Sequence, residues 1–331
     1  MKIDIFPHIL PVKYKEAFQQ VNKSEAFSKM HDIIPTLSDL DYRFRIMDQH
    51  DDLVQVLTLS SPPVENFADP KQAAELSRLA NDEMAELVVK YPDRFVAAVA
   101  CLPMNDMNAA LDEADRAIKD LHFIGVQIFT PINDKPLDSA EFLPLYEKMS
   151  QYDLPIWIHP QREMDYPDYR SENISRYALH AMFGWVYETS SAMVRLVLSG
   201  VLEKYANLKF ITHHGGAMMP FLNRRVASFI DFSATRLKNR ILENISGPPM
   251  DYFKMFYADT AIYGNTAGLM CSYDFFGPRH LVFGTDMPYD SQFGLTFTGE
   301  TIKSIEQMAI SEAEKKLIFE DNARALMRLS G

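Results

Sequence analysis

The sequence predicts an α/β fold, a distorted (β/α)8 barrel of the TIM type with an insertion after its first strand. Three observations point to it: short β-branched or aromatic runs recur eight times, amphipathic helical segments lie between them, and no G-x-G-x-x-G turn follows the first run. Strand then helix, repeated, calls for parallel pairing through right-handed crossovers. Eight such units close on themselves, whereas an open doubly wound sheet usually needs fewer and carries a glycine-rich first turn.

The strand candidates are 2–6 (KIDIF), 53–59 (LVQVLTL), 95–100 (FVAAVA), 123–129 (FIGVQIF), 155–158 (PIWI), 208–212 (LKFIT), 255–259 (MFYAD) and 281–285 (LVFGT). Helical spacing of apolar residues marks 71–91, 106–121, 139–153 and 189–206 between them. Residues 12–50 follow neither pattern and read as an insertion over the barrel mouth. No Gly-, Ser- or Pro-rich linker and no low-complexity tract interrupts the 331 residues, which predicts one domain over 1–331.

Apolar residues make up 47% of the chain and charged ones 24%, enough to bury a large core. The formal charge of −12 argues against nucleic acid, whose phosphates need clustered Lys and Arg. An anionic substrate therefore has to meet a locally placed cation. Two cysteines are too few for a disulfide framework, and neither a signal-like segment nor a membrane-length apolar run is present, so a cytoplasmic location without membrane contact is expected.

In such a barrel the chemistry gathers at the carboxyl ends of the strands. His8 follows the first run, His159 the fifth, His213 and His214 the sixth, and Asp286 the eighth. Imidazole nitrogens with a carboxylate suit a divalent Zn, Mn or Fe ion with a position left for substrate or water. Each residue alone has an ordinary structural explanation: a packed loop histidine at His8, a hydrogen-bonded strand end at His159, a helix cap at Asp286. Their convergence on one face of the barrel is what favours a site.

The stretches MKIDI and HILP (1–11), RFRIMDQ (43–49), YPDRFVAAVACLPM (91–104), GVQIFT (125–130), LPLYEKMSQYDLPIWIHP (143–160), GVLEKYANLKFITHHGGAMMPF (200–221) and VFGTDMP (282–288) carry a resemblance over nearly the whole chain. The chain resembles the amidohydrolase superfamily, and within it the branch of aminocarboxymuconate semialdehyde decarboxylase and the resorcylate-type decarboxylases. The resemblance implies that His8, His159 and Asp286 are metal ligands, and that His214, six residues before Pro220, is the histidine beside them that hydrogen-bonds the metal's water. It also implies a dimer, with an arginine eleven residues after that histidine reaching the neighbouring subunit's site, here Arg225. Arg162, three residues after His159, is a second candidate for binding the substrate carboxylate.

The chain departs from the family at one ligand position. Relatives place His, or sometimes Glu, where this sequence has Phe6, and a phenyl ring cannot coordinate an ion. Strand alternation sets Asp4 on the face of Phe6 and His8 but two residues deeper, too far to substitute. One divalent ion is therefore expected, zinc before manganese, held weakly by three ligands. The function implied is decarboxylation of an aromatic or unsaturated carboxylic acid, with Asp286 as proton donor and His214 assisting. A mononuclear hydrolase of a lactone or amide is the near rival; Gln127, Ile128, Phe129 and Thr130 at the end of the fourth run offer no lysine to bridge two metals. A metal-free, non-catalytic binding barrel is the third reading, prompted by Phe6.

Overall fold

The computed structural model describes residues 1–329. Runs that are apolar on both faces can be buried only in a parallel sheet covered by helices, and they become the strands of the barrel wall. In chain order these are β1 (Lys2–Asp4), β2 (His8–Ile9), β3 (Leu53–Leu59), β4 (Phe95–Ala98), β5 (Ala100–Cys101), β6 (Val126–Thr130), β7 (Ile156–Pro160), β8 (Phe210–Thr212), β9 (Tyr257–Asp259) and β10 (Leu281–Val282). β1 and β2 both pair in parallel with β3, and β3 with β4. Beyond the break at Val99, β5 pairs with β6, and parallel pairing runs on through β7, β8 and β9 to β10. Backbone hydrogen bonds from Ile5 N to Phe283 O (2.9 Å), His8 N to Met287 O (2.8 Å) and Asp286 N to Phe6 O (3.2 Å) join the last strand to the first. The predicted barrel is present with a stave at each of the eight predicted runs; the first run ends early at Asp4 and its stave resumes beyond the predicted bound at His8–Ile9, and the third is split at Val99.

Alternation along these strands separates two cores. Outward residues such as Leu57, Ile128, Ile158, Phe210 and Phe283 pack under the helices. Val54, Val56, Ala97, Val99, Trp157, Ile211 and Val282 point inward and fill the barrel. Trp157 is fully buried there and donates its indole N–H to Ile5 O at 3.0 Å. Ile3, Ile5 and Phe6 all belong to the inner cluster, so alternation is broken where the chain bends at Ile5. Asp4 consequently does not share the face of Phe6; it pairs in register with Gln55 on the outer side of the wall.

The helices hold close to their expected bounds, with local reasons at their ends. Pro70–Lys90 starts from a capping box of Asp69 and Gln72 with proline at its first turn. The run expected at 189–206 begins earlier, at Trp185, and stops at Leu198. Gly200 breaks it: φ is +81°, and a Cβ there would lie 2.5 Å from Asn244 O. The insertion at 12–50 is helical, with Val12–Val21, Glu25–Ile33 and Leu40–Met47. The second of these lies over the mouth. From the third, the buried Arg43 guanidinium donates to Gln55 Oε1 (2.6 Å), Thr36 O (3.2 Å) and His8 O, clamping the backbone at His8 from outside. Among the described residues no helix is long and apolar enough to cross a membrane.

One buried acid lies apart from the barrel interior. Glu65 has an Oε1 with no hydrogen-bond partner, and burial pushes its pKa from 4.5 up to about 8. The unfolded chain releases this proton near 4.5 while the folded chain keeps it to about 8, so this group's contribution falls as pH rises through that window. The stability advantage of wild type over Glu65→Gln should shrink between those two pH values, as measured by denaturant unfolding in buffers spanning them.

Candidate metal centre

Inward parity places the polar residues at the carboxyl end of the barrel one step above the apolar filling. Register pairs Ile158 with Thr212, so the next residues on the two strands, His159 and His213, are neighbours on the inner face, directly above Trp157 and Ile211. Asp286 follows Val282 and Gly284 in the same inward row. Gly284 has a spatial reason: a Cβ there would sit 3.0 Å from Asp259 Cβ and 3.2 Å from Phe6 Cβ. His8 arrives through the first stave, held by the closure bonds described above.

The predicted trio of His8, His159 and Asp286 comes together as expected. Each residue, with His213 as a fourth, contributes one ligand atom, and these atoms all lie within 4.8 Å of one another. All four side chains are buried. Asp286 Oδ1 is 3.1 Å from His8 Nε2 and 3.1 Å from His213 Nε2. Its Oδ2 accepts the Tyr263 hydroxyl at 2.7 Å and lies 3.6 Å from His214 Nε2. His159 Nδ1 hydrogen-bonds Pro160 O at 2.7 Å, which assigns the proton to that nitrogen and leaves the Nε2 lone pair free. Asp286 and His214 are both held at left-handed backbone angles, φ +61° and +58°. For non-glycine residues that is a strained conformation which the surrounding packing must enforce.

The electrostatics suit a cation. Burial lowers the pKa of His8, His159 and His214, keeping those imidazoles neutral and able to donate lone pairs. Burial also acts to raise Asp286, but His213, His214 and His8 outweigh it and hold this carboxyl well below the usual range. For His213 burial is again the largest influence and opposes charge, yet Asp259 and Asp286 overcome it and push the pKa up to about 10. Two carboxylates, one at each nitrogen of a buried imidazole ring, create a place where positive charge is strongly favoured. The donor set fits a divalent ion: neutral imidazoles at His8 and His159 and one ionised carboxylate at Asp286.

His214 and Asp286 open onto a cavity of about 900 Å³, lined by Phe27 and Met30 of the insertion, Trp185, Ile262, Phe297 and Tyr289 among others. Arg162 also lines it, but its Nη1 is paired with Glu188 Oε1 at 2.9 Å and its guanidinium lies 4.0 Å over the Tyr166 ring. The loop ion pair and the mouth position are thus both present. Arg225 is not among the lining residues; it is exposed on the helix Met219–Thr235, 4.8 Å over the Phe229 ring. The sequence marks His213 as a strand-end residue without assigning it a role, and it marks neither Asp259 nor Tyr263. The signal for His213 was its even spacing from Ile211 on a strand beside the one bearing Trp157 and His159. Tyr263 and Asp259 carry no comparable mark.

Comparison with known proteins shows which family the chain is similar to. The sequence model of a family described as amidohydrolase matches residues 30–329. A gamma-resorcylate decarboxylase of Polaromonas sp. strain JS666 is 32% identical over 297 residues, spanning 88% of this chain and 87% of that protein. The 2-amino-3-carboxymuconate-6-semialdehyde decarboxylase of Dictyostelium discoideum is 26% identical, spanning 99% and 92%. Among solved structures, a dihydroxybenzoic acid decarboxylase from Polaromonas sp. JS666, with bound manganese and the inhibitor 2-nitroresorcinol, superposes with a TM-score of 0.82 at 29% identity, covering 99% of this chain and 97% of that one.

Asp4 secures the segment that carries Asp286: its carboxylate accepts Thr285 N–H (3.0 Å), Thr285 Oγ1–H (2.7 Å) and Phe6 N–H (3.2 Å). Asp4→Ala leaves these buried donors unpaired and should cost about 2–4 kcal/mol of stability in equilibrium urea unfolding.

Proposed function

The chain belongs to the amidohydrolase family, and from that premise we propose that it is a divalent-metal-dependent decarboxylase of an aromatic carboxylic acid. The observation that carries this reading is the meeting of His8 and His159 with the Asp286 carboxylate, which lines a largely apolar cavity wide enough for a substituted ring. His8, His159 and Asp286 would hold the ion. Zinc suits this nitrogen-rich set, and manganese is the ion bound in the Polaromonas relative. When bound, the ion supplies positive charge that gathers substrate oxygens and draws electron density from the ring.

The chain's own groups would manage the proton and the carboxylate. Asp286 is ionised at rest, so it first takes the proton of the substrate's phenolic hydroxyl on Oδ2, where Tyr263 and His214 flank it. It then returns that proton to the ring carbon bearing the carboxylate. The new C–H bond forms, the bond to the carboxylate breaks with its electron pair returning to the ring, and carbon dioxide leaves a phenolate. Apolar walls exclude the water that would compete for the proton.

The departing carboxylate needs a cation. Arg162 is engaged with Glu188 but sits at the mouth, and Arg225 is the other candidate, supplied from a second subunit. The reading of a homodimer is supported by the aromatic surface around Arg225, where Phe221 is 81% and Phe229 59% exposed on the same helix. A catalytic unit folded as one barrel over 1–331, working in the cytoplasm as such, completes the proposal.

A panel of hydroxybenzoates, resorcylates included, incubated with purified protein and added zinc or manganese should release carbon dioxide and the matching phenol. His159→Ala should abolish turnover and ion retention together. Arg225→Ala should keep the ion and lower kcat/KM by about 10–100-fold, the loss of a bidentate carboxylate contact of about 1.4–2.8 kcal/mol. Ring opening or amide hydrolysis without gas evolution would instead favour the hydrolase.

A further inference from the structure

The position of Phe6 predicts a centre short of one ligand, yet the inner face of the barrel holds a fourth imidazole that neither the proton transfer nor carboxylate binding uses. We infer that His213 is itself a ligand of the ion, so that the centre is built from His8, His159, His213 and Asp286, with Phe6 serving as the wall that positions His213. This rests on the reading of a metal centre given above and specifies its composition.

Placement comes first. His213 shares the inner face with His159 on the neighbouring strand, and its Nε2 stands 3.1 Å from Asp286 Oδ1, the same separation as His8 Nε2 from that oxygen. Donor atoms on a small tetrahedral ion with bonds of about 2.0–2.1 Å are spaced about 3.3 Å apart. His8 and His213 are thus each already at ligand spacing from Asp286. His213 Nε2 is buried and makes no well-aligned hydrogen bond; its near neighbour is the Asp286 Oδ1 that His8 Nε2 also faces, which puts the nitrogen at the rim of the same centre.

Orientation comes next. His213 Nδ1 pairs with Asp259 Oδ2, which turns Nε2 toward the shared centre. Asp259 cannot swing away, because its Oδ1 accepts both Gly215 N–H and Ala261 N–H at 3.0 Å. A carboxylate behind a histidine in this way fixes the ring and raises its basicity toward a metal. On the flank, the Phe6 ring stacks against His213 with centroids 4.0 Å apart and planes 19° apart. The phenyl contributes no donor but closes off rotation of the imidazole. Gly284 leaves the room that lets Phe6 and Asp259 approach it together.

His214 has the opposite character. Its Nε2 lies 3.6 Å from Asp286 Oδ2, it lines the cavity, and it stands outside the four convergent ligand atoms. The two adjacent histidines therefore divide the work, His213 toward the ion and His214 toward the substrate.

X-ray absorption at the zinc edge of the wild-type protein loaded with one equivalent of zinc should count three imidazoles per ion. Two would overturn the inference without disturbing the metal reading. Chelator competition on the folded variants gives a second readout. His213→Ala should weaken zinc binding by more than about 100-fold, and Asp259→Asn by about 10–100-fold. Substituting cobalt should give a visible absorption band that changes in His213→Ala and stays unchanged in His214→Ala. An ion held as tightly by His213→Ala as by wild type, while His159→Ala loses it, would sink the His213 assignment alone. A wild type that takes up no zinc, manganese or cobalt would sink the metal centre itself and this assignment with it.

Discussion

Closure of the barrel is the constraint on which everything else depends. Residue 8 and residue 286 are nearly the whole chain apart, and only the hydrogen bonds that tie the last stave to the first bring them within ligand distance. Asp4 reinforces that seam by holding Thr285, and Arg43 braces it from the insertion through His8 O. An imidazole from the start of the chain and a carboxylate from near its end are therefore positioned by main-chain bonding rather than by a flexible loop. That is the rigidity a centre needs if its donors are to wait in place for an ion.

Bringing several histidines and two carboxylates into a dry interior is costly unless the charges answer one another. Here they do. Burial keeps His8, His159 and His214 neutral, the imidazoles around Asp286 hold its carboxyl well below the usual range, and Asp259 is paired with His213 and two backbone amides. The strain at Asp286 and His214 belongs to the same accounting, since the packed barrel holds both backbones where they would not settle alone.

The fold was largely legible because its signal is repetition. Every one of the eight runs produced a stave, since β-branched and aromatic stretches of that length between amphipathic helices have few other ways to bury both faces. Boundaries moved where single residues decide: Gly200 cut a helix, and the bend at Ile5 interrupted alternation and sent Asp4 to the outer side of the wall. The site was legible in part. His8, His159 and Asp286 converge as their strand-end positions implied. His213 was hidden by its neighbour, because a pair of adjacent histidines does not announce which faces inward until register is known. Asp259 and Tyr263 act through partners distant in sequence, and no local pattern marks them. Arg162 illustrates the converse: a cation near the mouth was expected, but its ion pair with Glu188 depends on a helix twenty-six residues on.

The inward row of a closed barrel has a property that a single motif does not. Positions around one rim are geometrically near-equivalent, each about as far from the axis as the next, so a coordinating group deleted from one stave can be regained from another without rebuilding the scaffold. The phenyl at position 6 lies flat against the imidazole at 213, so a side chain that cannot coordinate still braces one that can.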